Sequence, residues 1–572
     1  MPTYALRNIL IVIVSISICS CNPGGSHEDF LTDSSSIVAG RDLFIQNCSG
    51  CHNFKQRGIG PDLSGITETD SLGWLKNFIR SPKALVDAGD EHAKDLLDDY
   101  HTMMPSFAGF SDKELERLIA YLHTHKGRPE EKEDPLAVKD PIPEKILSSG
   151  LTVSLEPFLQ LPYSNEKEPH TRLSQIEWTG REKTLFVLDQ NGQMYKLFQG
   201  GLIRWFDMRR QKSRFISQPG LATGFGSFAF HPEYERNGIF YTTHCEPAHS
   251  QKADFAIPDT IHQTLQWVLC EWKNQHPEDS VFEGTSRELM RLDMVKGIHG
   301  VQEIAFNPLA VPGSEDYGLL YIGVGDGGSV EDGFPFLTHH PDHPWGTILR
   351  INPLGKNSLN GQYGIPSGNP FVNNPDSNTV REIYAVGFRN PNRFNWTTDG
   401  QMLVTNIGQA EIEAIDIVYK GRDYGWPDRE GNFLLHPEGN INRIYQLPEN
   451  DSIYHYVYPA AEFDHDEGKA IAGGFEYTGK AIAAFRGKYI FGDIPGGRLF
   501  YVSLKNLKPG GMAPVKEWFV SLHGKKMSLK ELCRNDRVDL RFARDDQGEL
   551  YISTKADGKI YRLAGQETVT SQ

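Results

Sequence analysis

Residues 318–328 read GLLYIGVGDGG, an apolar, β-branched core closed by glycines. Such a run fits a buried strand that ends in a tight turn. The unit recurs as LFVLDQNGQMYKL (185–197), GIFYTTH (238–244), GQMLVTNIGQ (400–409), GKYIFGDIPGGRLFYV (487–502) and GELYISTKADGKIYRL (548–563). The copies start about 50 to 90 residues apart, and few long amphipathic helix patterns lie between them. A repeated strand unit is the mark of a propeller, whose blades bury their faces against one another. Six copies predict an all-β six-bladed propeller over residues 149–566, with long loops on one face to build a site.

Ahead of it, residues 128–148 are Pro-rich and charged and read as an inter-domain linker. Upstream again, QNCSGCHNF (46–54) places Cys48, Cys51 and His52 in a C-x-x-C-H motif, the attachment signature of c-type haem. The two thiols bond the haem vinyl groups and His52 ligates the iron. Zinc is disfavoured, because no second cysteine pair lies nearby. The pair Met104–Pro105 resembles the axial methionine loop of class I cytochromes c, with Met103 as the alternative ligand. Gly40 and Phe44 resemble the N-terminal helix of those cytochromes, and GIGPDLSG (58–65) their haem-side loop. In SDKELERLIAYLHTHK, Ser111 and Glu114 form a capping box, and Leu115, Leu118, Ile119 and Leu122 share one helical face. A small all-α cytochrome c domain over 35–127 is therefore expected to precede the propeller. His/Met ligation would raise the haem potential and suit it to accept electrons.

The first residues name a compartment. Residues 1–21 carry Arg7, an apolar run too short to span a bilayer, and Ile18-Cys19-Ser20-Cys21. This resembles a bacterial lipobox, which implies cleavage before Cys21 and its acylation; a plain signal cut elsewhere is the alternative. Residues 22–34 then read as a flexible tether. Haem attachment outside the bacterial cytoplasm agrees with export to the periplasmic side and membrane anchoring through lipid.

Six stretches carry a second resemblance: GFGSFAFHPEYERNGIFYTTH, IHGVQEIAFNPLA with GLLYIGVGDGGS, GTILRINPLG, EIYAVGFRNPNRFNW, NIGQAEIEAIDIVYKGRDYGWPDREGNF and GGFEYTGKAIAAFRGKYIFGDIPGGRLFYV. Their order and wording resemble the glucose/sorbosone dehydrogenase family. Those six-bladed propellers include soluble sugar dehydrogenases that use pyrroloquinoline quinone, and a branch with the propeller of hedgehog-interacting protein. The resemblance implies His299 as the catalytic base, oriented by Asp326 of GDGG. An imidazole suits that task, since it titrates near working pH. It further implies that Arg389 and Asn390 grip the quinone, Arg389 polarising its carbonyl. Gly408 and Gln409 stand where such enzymes have a Gly-Pro pair whose backbone carbonyls hold calcium, an ion suited to hard oxygen donors.

The chain also departs from the family. Thr478 stands where a quinone-contacting lysine is expected, with Lys480 two residues on, and Gln302 replaces a glycine three residues after the base. Arg541, with Arg537, is expected to supply positive charge to the quinone carboxylates. Glu411 and Glu413 either assist that calcium site or are simply solvated, and solvation is the favoured reading.

The net charge of −16 argues against a nucleic-acid partner. Cys245, Cys270 and Cys533 leave a disulfide open, because three thiols cannot all pair. Two functions follow. One is a lipid-anchored quinohaemoprotein that oxidises a sugar or related alcohol and passes electrons through its haem to a periplasmic or membrane acceptor. The other is a quinone-free propeller that binds carbohydrate or protein, with the cytochrome as a separate carrier.

Overall fold

The computed structural model describes residues 30–49, 52–55, 60–100, 103–127, 134–166, 170–179, 184–218 and 222–566. Cys21, the expected signal, most of the tether and Cys51 lie outside the described residues.

The N-terminal part is helical. The Ser34–Asn47 helix starts where the Asp33 carboxylate accepts the Ser36 amide, and the Asp112–His123 helix opens with the expected Ser111/Glu114 capping box. The two helices cross at Gly40, where a Cβ would lie 1.8 Å from the Arg117 carbonyl oxygen. Only a glycine permits that approach. Below the crossing, Phe44, Leu75, Ile79, Leu115, Leu118, Ile119 and Leu122 form one apolar core. Each contributes roughly 1.5–3 kcal/mol on burial.

From Leu147 onward the chain is a large all-β, propeller-like domain. Among the described residues it contains four four-stranded sheets, a nine-stranded sheet and a small three-stranded one. In the nine-stranded sheet the first strand, Leu147–Gln160, pairs in parallel with Lys516–Leu522 and antiparallel with Lys559–Gln566, so the two ends of the domain close on each other. The strands Leu173–Thr179, Phe225–Phe230, Glu303–Phe306, Pro391–Trp396, Ile471–Glu476 and Leu540–Arg544 touch in succession and back to the first, forming an inner ring. Apolar clusters fill the space between neighbouring sheets. Polar side chains such as Gln175, Glu303 and Arg393 come from the inner strands themselves.

The segment expected to be only a linker is laid along this domain. The Val138 amide donates to the Ile444 carbonyl, the Tyr445 hydroxyl to Asp134, and the Ile142 amide to Asp464.

Candidate functional site

His52 fits a haem ligand. It is buried, and its Nδ1 lies 3.0 Å from the Pro61 carbonyl oxygen. That contact leaves Nε2 free for a metal. Burial pushes the imidazole below its ordinary pKa, which favours the neutral, ligating form. A Cβ at Gly60 would lie 2.3 Å from His52 Cε1, so the loop lies flat against the ring. Cys48 is buried nearby, and its carbonyl accepts the His52 amide. Met104 packs against the apolar core, whereas Met103 does not join that cluster, which favours Met104 as the sixth ligand. Buried thiol, oriented imidazole and thioether are the donor set that haem c needs.

In the β domain, His299 has φ +47°, a left-handed conformation unusual for a non-glycine residue. Its Nδ1 is 2.7 Å from Asp326 Oδ1, which also accepts the Gly328 amide. Gly325 makes this approach possible, because a Cβ there would lie 2.3 Å from the His299 carbonyl oxygen. Burial first, and the Arg389 charge next, push His299 below its ordinary pKa against the raising influence of Asp326. A carboxylate at Nδ1 favours the tautomer with its proton there, which leaves Nε2 as the candidate base.

Arg389 and Gln409 are brought to the same place, since the Arg389 carbonyl accepts the Asp326 amide. The Arg389 guanidinium, however, has no free donor. Nε and Nη2 donate to Gln409 Oε1 at 3.0 and 2.6 Å, and Nη1 to the carbonyls of Gly408 (2.5 Å) and Ile407 (3.4 Å). Nη2 also meets Glu331 Oε1 at 3.2 Å. The guanidinium expected to polarise a quinone carbonyl thus makes its hydrogen bonds to the chain's own oxygens. For the same reason the expected calcium seat does not fit the ion. The Gly408 carbonyl accepts a guanidinium, so a cation already stands where the ion would sit. Asn390 is buried; its amide donates to Asn406 and its carbonyl accepts Ile407.

Glu331 and Lys296 are the residues that sequence reasoning missed. Lys296 Nζ is 3.0 Å from Glu331 and 3.0 Å from Asp332. Burial alone would raise the Glu331 carboxyl, but Lys296 and then Arg389 outweigh it and hold it at about 2. Glu413 is fully buried rather than solvated: it accepts the amides of Gly408 and Ile471.

A second charged cluster lies along the inner ring. Burial, then Arg393, lower Arg541 to about 9, with Asp539 opposing and Arg537 adding to the shift. Burial and then Arg541 drive Lys555 well below its ordinary value. Arg541 Nε and Ser553 Oγ, on paired strand positions, have no hydrogen-bond partner. Buried cations in excess, with an orphaned donor among them, suit a multiply charged anion such as the tricarboxylate end of pyrroloquinoline quinone.

Two departures resolve differently. The Gln302 side chain turns to Asn392, accepting its amide at 2.8 Å. At the Tyr477-Thr478-Gly479 turn the Tyr477 hydroxyl and the Lys480 amide donate to Glu549. Cys245, Cys270 and Cys533 are buried and unpaired.

Residues 181–562 match the family described as Glucose / Sorbosone dehydrogenase, and residues 37–126 match Cytochrome c. The HIPL1 protein of Arabidopsis thaliana is 27% identical over 389 residues, 59% of this chain and 53% of that protein. Quinoprotein glucose dehydrogenase B of Acinetobacter calcoaceticus is 22% identical over 391 residues, 62% of this chain and 72% of that one. With the HIPL2 protein, of which 43% is covered, the chain spans about half the length of its plant relatives. The apo soluble aldose sugar dehydrogenase of Escherichia coli superposes with TM-score 0.49 at 16% identity, covering 72% of this chain and 99% of that one.

Proposed function

The chain belongs to the glucose/sorbosone dehydrogenase family, with a cytochrome c domain fused ahead of it, and we propose that it oxidises a sugar or related alcohol at pyrroloquinoline quinone and passes the electrons to its own c-type haem. In this reading the nine-stranded sheet is two blades, which gives six in all. The chain is exported, anchored on the periplasmic side of a bacterial membrane through acylated Cys21, and delivers electrons to a periplasmic or membrane acceptor.

The observation that carries the reading is a contact between the domains. Lys55 Nζ donates to the Asp332 carbonyl at 3.1 Å. Lys55 lies three residues after the haem ligand His52, and Asp332 adjoins Glu331, which holds Arg389. A second pair, Lys83 and Asp536 at 3.5 Å, adjoins Arg537. The haem-attachment segment thus rests on the loop that runs from Asp326 past Glu331. A cytochrome serving a separate partner would have no need of that seat.

Bound quinone would supply a two-electron acceptor. His299 Nε2 takes the proton of the substrate hydroxyl, and Asp326 holds the ring in the tautomer that leaves Nε2 unprotonated. Arg541, Arg537 and Lys555 would hold the quinone carboxylates, while Arg389 adds positive charge beside the base. Cys48 and Cys51 would bond the haem, and His52 and Met104 would ligate its iron.

The test is a visible spectrum of the oxidised protein titrated with quinone and a panel of sugars. Growth of the reduced α-band only when both are present is expected. A haem that ascorbate reduces but no quinone–sugar mixture does would overturn the reading. One observation favours the quinone-free alternative: every Arg389 donor already has an acceptor within the chain.

A further inference from the structure

We propose that in this chain the Arg389 guanidinium takes the place of the divalent cation at the Gly408–Gln409 edge, so that quinone binds without calcium. The inference rests on the quinone reading of the same site. It starts from the five N–H donors of Arg389, which fan across the Gly408 and Ile407 carbonyls, Gln409 Oε1 and Glu331 Oε1. A calcium ion needs six to eight oxygens at about 2.3–2.6 Å. Here the Gly408 carbonyl already faces a cation at 2.5 Å. A dication on that oxygen would stand beside a like charge that is itself buried and fixed at five points.

The rest of the segment is organised for the same arrangement. The Gly408 amide is fixed by Glu413, and the amides of Ala410, Glu411 and Ile412 converge on Glu430 Oε1 at 2.9, 2.7 and 2.8 Å. Both carboxylates receive backbone donors and are not offered to a metal. Gln409 explains why the sequence departs from Gly-Pro: a proline has no side-chain oxygen, whereas this carboxamide takes two bonds from Arg389. Glu331 supplies the counter-charge that lets a guanidinium stand in the interior. Cation, counter-ion and carboxamide form one device, and the positive charge a metal would bring is built into the chain.

The experiment uses the full-length haem protein stripped of metal. Quinone binding is followed by quenching of tryptophan fluorescence, first in chelator and then in excess calcium. The same affinity in both, within about twofold, is expected; tightening by about tenfold or more with calcium overturns the inference while leaving the quinone reading intact. Terbium luminescence gives a readout that needs no quinone. The Trp426 ring lies 5.8 Å from the Arg389 guanidinium and would sensitise an ion in the seat. Terbium emission that Trp426→Phe leaves unchanged is expected. Emission that Trp426→Phe abolishes puts a metal in the seat and overturns the proposal. Absence of quinone binding in either buffer would overturn the function proposed above, and terbium alone would then decide the seat.

Discussion

Arg389 and Arg541 are both buried in the β domain, yet they stand in opposite electrostatic states. Arg389 has a carboxylate within 3.2 Å and an acceptor for every donor. Arg541 donates to the Leu540 carbonyl, leaves Nε unpartnered, and faces Arg393 and Arg537 with Asp539 the opposing charge. A buried charge is costly unless paired and hydrogen-bonded. The first arginine meets that condition from within the chain, and the second does not. The difference separates a cation that belongs to the scaffold from one that awaits an anion.

The deepest cut between chemistry and binding is at His299, which lies beside the first arginine. His299→Gln is expected to lower sugar-dependent haem reduction by about 10²–10⁴-fold with quinone affinity little changed. Turnover within tenfold of wild type would place the base elsewhere. The two arginines then differ in the sign of their effect on folding. Arg389→Met leaves Glu331 facing Lys296 alone and the Gly408 and Gln409 acceptors unmet, and should cost about 3–5 kcal/mol in urea unfolding. Its partner gives the pH dependence. The Glu331 carboxyl sits at about 2 in the folded chain, below its ordinary 4.5, so its contribution is present above about 4.5 and is lost as pH falls toward 2. Glu331→Gln should flatten that acid limb. Arg541→Met should leave the apo protein as stable or more so, because it removes an uncompensated charge. It should weaken quinone binding about 10–100-fold, the loss of one charge-assisted hydrogen bond. Destabilisation by both substitutions would erase the contrast.

The two domains also differ in how much of them was legible. The haem-attachment residues Cys48, Cys51 and His52 fall within five consecutive residues, so the motif could be read directly. The capping box at Ser111 and the face of Leu115, Leu118, Ile119 and Leu122 were legible for the same reason, since helical contacts are local. The His299–Asp326 pair was reached through family resemblance, and the structure puts the two side chains 2.7 Å apart. Glu331 was not legible. It lies in SVED, which carries no motif, and its partners Lys296 and Arg389 are 35 and 58 residues away in sequence. Gln409 was noted only as a departure from proline, because its significance depends on where Arg389 points. Thr478 was noted only as a departure, and the turn's contacts with Glu549, about 70 residues on in sequence, carry no motif. Glu413, in a charged-looking run, is buried because two amides converge on it.

The smallest expected effect lies between the domains. Lys55, which donates to the Asp332 carbonyl, and Lys83, which pairs with Asp536, are exposed, and exposed contacts of this kind contribute little to stability because water and salt screen them. Their use is kinetic. The covalent link through residues 128–148 keeps the cytochrome at high local concentration whatever the docking charge, so these contacts would select among poses rather than create the encounter. Lys55→Glu should therefore slow internal haem reduction only about two- to tenfold in stopped flow at low salt, and the difference should shrink as salt is added. Lys94→Glu, a reversal elsewhere on the cytochrome, should do neither. If Lys94→Glu slowed the transfer and Lys55→Glu did not, the haem would meet the propeller through another face, and the Asp332 loop would lose its part in the relay.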